Sequence, residues 1–293
     1  ELRQHQSVAQ LGQRLRGRLQ VFLLGLHQGQ QLRAPLGRAT QAPLQRHLGR
    51  VPVRGGHLEA VLQVPNLVAQ HGISREDHDR FAYHSHRKAI EAQEAGWFDA
   101  EITPVTVKSR RKTTVVDADE SPRSDTSIEA LAKLRAVFKD GGSVTAGNSS
   151  PLNDGAAVVL ICDEQVAAEN GWKPRARILA SASAGVDPRI MGIGPVPATR
   201  KALQQAGLTT SDIDVWELNE AFASQSLAVI RELGLDEGDV NLHGGAIAIG
   251  HPLGCSGARI LTTLLGVMDR VEARRGASSR RASVRRRSKA PIP

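Results

Sequence analysis

The chain has 293 residues and no run of eighteen apolar ones, so one or two globular domains are expected and a membrane span is not. The net charge of +8 first suggests a polyanionic partner, but aromatic residues make up only 3% of the chain, too little for a base-stacking surface. Two cysteines, Cys162 and Cys255, exclude a disulfide framework, and with no apolar leader before a small-residue cleavage site a cytoplasmic location is expected.

The charge is unevenly spread. Residues 1–72 hold nine Arg, two Glu and neither Lys nor Asp, a net +7; residues 274–293 hold seven Arg and one Lys with no acid, a net +8. The stretch between them carries 21 basic and 28 acidic residues, a net −7. An acidic body with two basic ends gives no reason to expect a nucleic-acid partner.

In chain order, residues 1–65 mix Leu and Val with Gln, Arg and Gly and sustain no period of 2 or 3.6. This Gln/Arg-rich segment reads as disordered or out of frame. From Asn66 the texture changes: Ser74 is placed to cap a helix with Asp77 at its third position, running through Phe81, Ala89 and Ala92 to a stop at Gly96. Glu101 to Val107 alternates like an exposed strand. Ser127 or Thr126 caps a second expected helix, with Ile128, Leu131, Leu134 and Phe138 on one face. A Gly/Asn/Ser/Pro loop then enters an apolar run closed by a helix ending at Gly171. Beyond it strands (176–186, 215–219, a short 240–242) alternate with helices (198–207, 221–233, 256–268), the pattern of an α/β domain. Past Val271 no apolar period survives, and the tail reads as a disordered basic arm.

Four polar loops fall where α/β sheets place their sites. Gly147 to Gly155 offers hydroxyls and amides for a polar ligand, or a capping turn. Asn219, at the junction into a helix, serves either as a cap or as a neutral donor to a water or oxyanion. Gly244 to Arg259 brackets His251-Pro252 with glycines, so backbone can approach a ligand while the proline directs an imidazole suited to proton transfer at neutral pH. His243 is ambiguous, and Met191 to Thr199 reads as a rigid connection. Both cysteines read as packing rather than nucleophiles.

Together the segments NEAFASQSLAV, NLHGGAIAIGHPLGCSGARIL, AGNSSPLNDGAA and AGVDPRIMGIGPVPATRKAL resemble, in the same order, the C-terminal two-thirds of the thiolase family of acetyl-CoA acetyltransferases and 3-ketoacyl-CoA thiolases, over about 66–275. The resemblance implies an α/β, thiolase-like layered αβαβα fold with an incomplete N-terminal half. Residues 66–160 would be the remainder of the N-terminal domain and 161–275 the C-terminal domain, with 276–293 a basic unmatched tail. It implies reversible Claisen condensation or thiolysis of coenzyme A thioesters, with coenzyme A thioester as substrate, no cofactor and no metal. A homo-oligomer is implied where the full fold is present.

The same likeness gives roles to residues. His251 would activate the nucleophilic cysteine and help bind the thioester oxygen, and Asn219 would hold a water completing the oxyanion site. Ala221 and Phe222 would line the acyl and pantetheine tunnel, Ser150 would hydrogen-bond the pantetheine arm with Ala146 and Phe138 packing along it, and Arg123 would reach the nucleotide end.

The departures concern both catalytic thiols. The family's nucleophile lies in a V-C-x-S-G-type element and its second cysteine in a C-x-G-G-G element, and neither motif occurs here. Val284 to Ser288, if encoded GTN CGN CGN CGN TCN, becomes Cys-Gly-Gly-Gly when read one base later with each free base G, so out-of-frame ends flanking a thiolase-like body are one expectation. The chain as it stands is expected to lack turnover; a non-catalytic acyl-CoA- or lipid-binding protein is the alternative.

Overall fold

The computed structural model describes residues 21–24, 66–109, 112–138, 140–279 and 282–286. Helix α1 (Arg75–Glu94) begins as its sequence dictates: the Ser74 hydroxyl accepts from Asp77 N–H and the Asp77 carboxylate accepts from Ser74 N–H, satisfying two end donors reciprocally. Its inward face is His78, Phe81, Ala82, Ser85, Ala89 and Ala92. A two-stranded antiparallel hairpin follows, β2 (Val105–Lys108) with β3 (Thr113–Val116), in an exposed position.

The expected second helix is cut short. α2 (Ile128–Ala132) has five residues, and Leu134 and Phe138 are about two-fifths exposed rather than sharing a buried face with Leu131. Arg75 takes the Leu131 and Leu134 carbonyls, and Ala136 and Val137 pair with Thr145 and Val144, so the backbone is diverted into a turn.

The remaining elements are β4 (Leu160–Asp163), α3 (Glu164–Glu169), β5 (Ala176–Ala180), a 3-10 segment (Pro188–Ile193), α4 (Pro195–Ala206), β6 (Val215–Glu217), α5 (Ala223–Leu233), the single turn α6 (Ala246–Ile249), α7 (Ser256–Arg270), β7 (Arg275–Ser278) and β8 (Ala282–Arg286). With β1 (Val21–Leu24) these strands form a six-stranded sheet, ordered β4-β1-β5-β8-β7-β6, in which β6 and β7 run parallel. Two expectations fail here. The basic tail is strand over Arg275–Ser278 and Ala282–Arg286, because its backbone completes the sheet between β5 and β6. The strand expected at Val240 to Leu242 is one bridge to Trp216, since Asn241 turns to φ 48 and spends its side chain on Leu218 and Glu220. Disorder over 1–65 falls outside the described residues except at Val21–Leu24, and so does the remainder of the tail.

β6 is buried throughout and sorts its side chains by strand parity. Trp216 and Leu218 enter a core with Phe81 of α1, Leu203 of α4, and Leu227 and Ile230 of α5, while Val215 packs on Leu261, Leu264, Leu265 and Met268 of α7. α5 buries nearly every residue, as a helix between two layers must. No helix among the described residues is long and apolar enough to cross a membrane.

Candidate active site

His251 and Asn219 meet where β6 runs out against the start of α7. The Ser256 hydroxyl, in the first turn of α7, lies 2.6 Å from His251 Nδ1 and 3.0 Å from the Pro252 carbonyl, so it can hold the ring from its Nδ1 side. The Asn219 amide lies 3.3 Å from Nε2, which is the unprotonated nitrogen when Nδ1 carries the ring proton. In that tautomer Nδ2 faces the ring, because turning the amide over would set two acceptors against each other. Asn219 Oδ1 is buried without a hydrogen-bond partner among the described residues. Asn219 does not cap α5; Phe222 occupies that position.

Gly250 directs the imidazole. Its φ of 97° is open to glycine, and a Cβ there would collide with the Asn153 amide. At the other end of the loop, Glu220 is buried and accepts from Ser85 Oγ–H at 2.6 Å, Asn241 Nδ2 at 2.7 Å and Ile247 N–H at 3.1 Å. Burial pushes its carboxyl upward, and those three donors oppose the rise. Gly245 packs so close to this carboxylate that any Cβ would overlap it. Glu220 thus ties α1, β6 and the histidine loop together.

A second cluster continues from the same strand-to-helix junction. Ser150 N–H and Ser150 Oγ–H both donate to Ala221 O, at 3.1 and 3.2 Å, and Ala223 N–H donates to Asn148 O. The Phe138 and Phe222 rings meet edge to face at 5.9 Å, and Ala146 lies exposed in the adjoining turn. Asn148, buried, is spent on Thr145 N–H, Asp79 and the Ser143 carbonyl, so the polar character of this loop at that position is structural. Arg123 stands apart: its backbone N–H donates to His86 Nδ1 of α1 and its exposed guanidinium lies 3.5 Å from Asp125.

His243 takes no part in this site. It stacks on Trp97, accepts from Arg270 Nε–H at 2.8 Å, and is held down to about 4 by burial with Arg270 beside it. Neither cysteine has the setting of an activated thiol. Cys162 lies on β4, and Cys255, beside Gly155, Asp119 and Arg259, has its thiol raised by burial.

Sequence reasoning reached His251, Asn219 and the Phe222 cluster but missed Ser256, Asn241 and Glu220, which hold them. The spacing of Ser256 five residues after His251, on the first turn of the following helix, was the available signal. The metal question rests on the described residues, among which no group of three His, Cys, Asp or Glu is placed to hold an ion.

Comparison with known proteins gives the family. Residues 57–165 match the N-terminal domain of thiolase and residues 172–283 its C-terminal domain. The chain is 54% identical over 214 residues to an acetyl-CoA acetyltransferase of Paracoccus denitrificans, covering 73% of this chain and 55% of that protein. It is 53% identical over 207 residues to a beta-ketoadipyl-CoA thiolase of Acinetobacter baylyi, covering 70% and 52%. The crystal structure of the Bacillus anthracis acetyl-CoA acetyltransferase matches with a TM-score of 0.74 at 45% identity over 77% of this chain and 59% of that one. Human mitochondrial 3-ketoacyl-CoA thiolase matches with a TM-score of 0.78 at 35% identity over 97% and 76%. The chain spans about half the length of the curated relatives it matches. With both domains matched and the sheet and helix layers shared, the chain belongs to the thiolase family.

Proposed function

We propose that this chain carries the thioester-handling part of a thiolase-type acyltransferase, whose reaction is reversible Claisen condensation and thiolysis of acyl-CoA and 3-ketoacyl-CoA, and that it does not turn over on its own two thiols. The Asn219–His251 pair carries this reading. Carbon–carbon bond formation requires an enolate, so negative charge gathers on the thioester oxygen. A neutral amide donor held in place beside an imidazole is suited to stabilise that oxygen without reorganising. With the ring proton on Nδ1 beside Ser256, the Nε2 lone pair is suited to take a proton from a thiol.

Phe138 and Phe222 supply an apolar edge for the coenzyme's arm, with Ser150, Ala221 and Ala146 beside them. The exposed Arg123 guanidinium fits a phosphate of the nucleotide end. The elevated Cys255 thiol is the reverse of what a nucleophile needs, which supports both the lack of turnover and the second reading, acyl-CoA or lipid binding without catalysis. A cytoplasmic location and self-association go with this proposal.

The test is a coupled thiolysis assay with acetoacetyl-CoA, run beside calorimetric titration with coenzyme A. Expected are coenzyme binding that weakens in Phe222→Ala and no thiolysis above blank. Turnover at rates ordinary for thiolases would overturn the proposed inactivity, and absence of binding at millimolar coenzyme A would overturn the coenzyme role. Equal affinity for a fatty acid lacking the coenzyme would favour the lipid-binding reading.

A further inference from the structure

Strand parity places Val215, Glu217 and Asn219 on the side of β6 and its continuation that faces α7, and Val215 is seen packed there. On α7, Ser256 and Arg259 are three residues apart and share a face. Two rungs therefore join strand to helix. The upper one is Asn219 against His251, whose ring is held by Ser256. The lower is Glu217 against Arg259, with Nη1 3.8 Å from Oε2; the carboxyl is 1% exposed and the guanidinium side chain 16%. Arg259 also faces Glu101, Asp119 and the Cys255 thiol, and Thr263 and Arg175 lie beside Glu101.

We propose that Arg259 is a positioning residue for the His251–Asn219 pair: by engaging Glu217 it fixes the spacing between the end of β6 and the first turn of α7, on which the 3.3 Å contact depends. Neither Glu217 oxygen and none of the three guanidinium nitrogens has a hydrogen bond among the described residues. A buried carboxyl–guanidinium pair so poorly bonded adds little net stability over apolar residues of the same volume, and registry is the use such pairs serve best. The catalytic meaning of this placement rests on the thiolase reading, but the geometry exists without turnover.

The experiment labels the full chain with 15N-histidine and follows the two ring nitrogens of His251 through a pH titration. Wild type is expected to hold the Nδ1–H tautomer. Arg259→Met combined with Glu217→Met removes both buried polar groups, so the core remains foldable. It is expected to mix the tautomers and move the His251 midpoint by at least about 0.5 pH unit. Arg259→Lys keeps the cation and is expected to stay within about 0.2 unit of wild type. Unchanged His251 signals in the double variant, or Arg259→Lys behaving like it, overturn the proposal. So does an equal shift of His78, on α1, which marks general loosening. Coenzyme A affinity, measured on the same samples, tests the functional reading separately: a wild-type chain that binds no coenzyme counts against that reading and leaves the positioning result standing.

Discussion

Along residues 241–251 every side chain but one is buried, and Asn241, Gly245, Ile247 and His251 all have named partners on other elements. The stretch 151–159, which crosses it where Gly155 meets Pro252, leaves Leu152 94% and Val158 79% exposed. Both mix small, polar and aliphatic residues, the first with the single turn α6 inside it, and composition does not separate them. They differ in what lies opposite: the first is pressed against α1 and β6, the second against little. Chemistry that depends on tenths of an ångström belongs in the first kind, while the second leaves room for a surface to adapt.

Substitution at Gly245 should break this contrast most severely. A Cβ there overlaps the Glu220 carboxylate, which three donors hold in place, so Gly245→Ala is expected to cost about 3 kcal/mol in urea unfolding. A loss below about 1 kcal/mol would mean that Glu220 has somewhere to go.

Next comes pH. Burial pushes Glu217 up to about 8, with Glu101 and Glu220 adding to the rise and Arg259 and Lys88 opposing it; Glu101 itself is raised to about 7. An acid with a raised folded pKa binds its proton more tightly in the native state, so its contribution is full below about 4.5 and is lost as pH climbs through about 8. Buried His78, His86 and His243, all lowered, act in the opposite sense below about 6.5. The clean quantity is therefore the difference between Glu217→Gln and wild type: the variant should gain relative stability from pH 5 to pH 8. A parallel pair of melting-temperature curves would show that Glu217 ionises as freely folded as unfolded.

Smaller effects sharpen the comparison. Ser256→Ala removes the acceptor for His251 Nδ1–H and should cost about 1–2 kcal/mol, with the imidazole signal losing its single tautomer. Leu152→Ser, in the exposed loop, should stay within about 0.5 kcal/mol of wild type by the same unfolding measurement.

These contrasts also mark what could be read from residues in a row. The Ser74–Asp77 cap and the left-handed stops at Gly207 and Gly234 are local, and those helix ends fall where the sequence puts them, whereas α4 starts at Pro195, inside the stretch Met191 to Thr199 that reads as a rigid connection. His251 and Asn219 were visible as a proline-directed imidazole among glycines and an asparagine at a junction. The ties that hold them were not, since Glu220 meets Ser85 across 135 residues and Asn241 reaches back 23 to Leu218. Pairings of that reach also defeated the local signal after Ala132, where Arg75 captured two carbonyls that a longer α2 would have used. Likewise the Arg-rich tail carries no apolar period, yet its backbone finds ladder partners in β5, β7 and β6.

The alternation along β6 has an evolutionary consequence. Even-numbered positions Trp216 and Leu218 answer to a packed core, and odd-numbered Glu217 and Asn219 to the helix that carries the imidazole. The two sets can therefore drift separately: volume is the constraint on one, donor geometry on the other. Lengthening the strand by a single residue ahead of Leu218 would exchange the two faces and erase both records at once, so tolerance to point substitution here coexists with intolerance to any insertion.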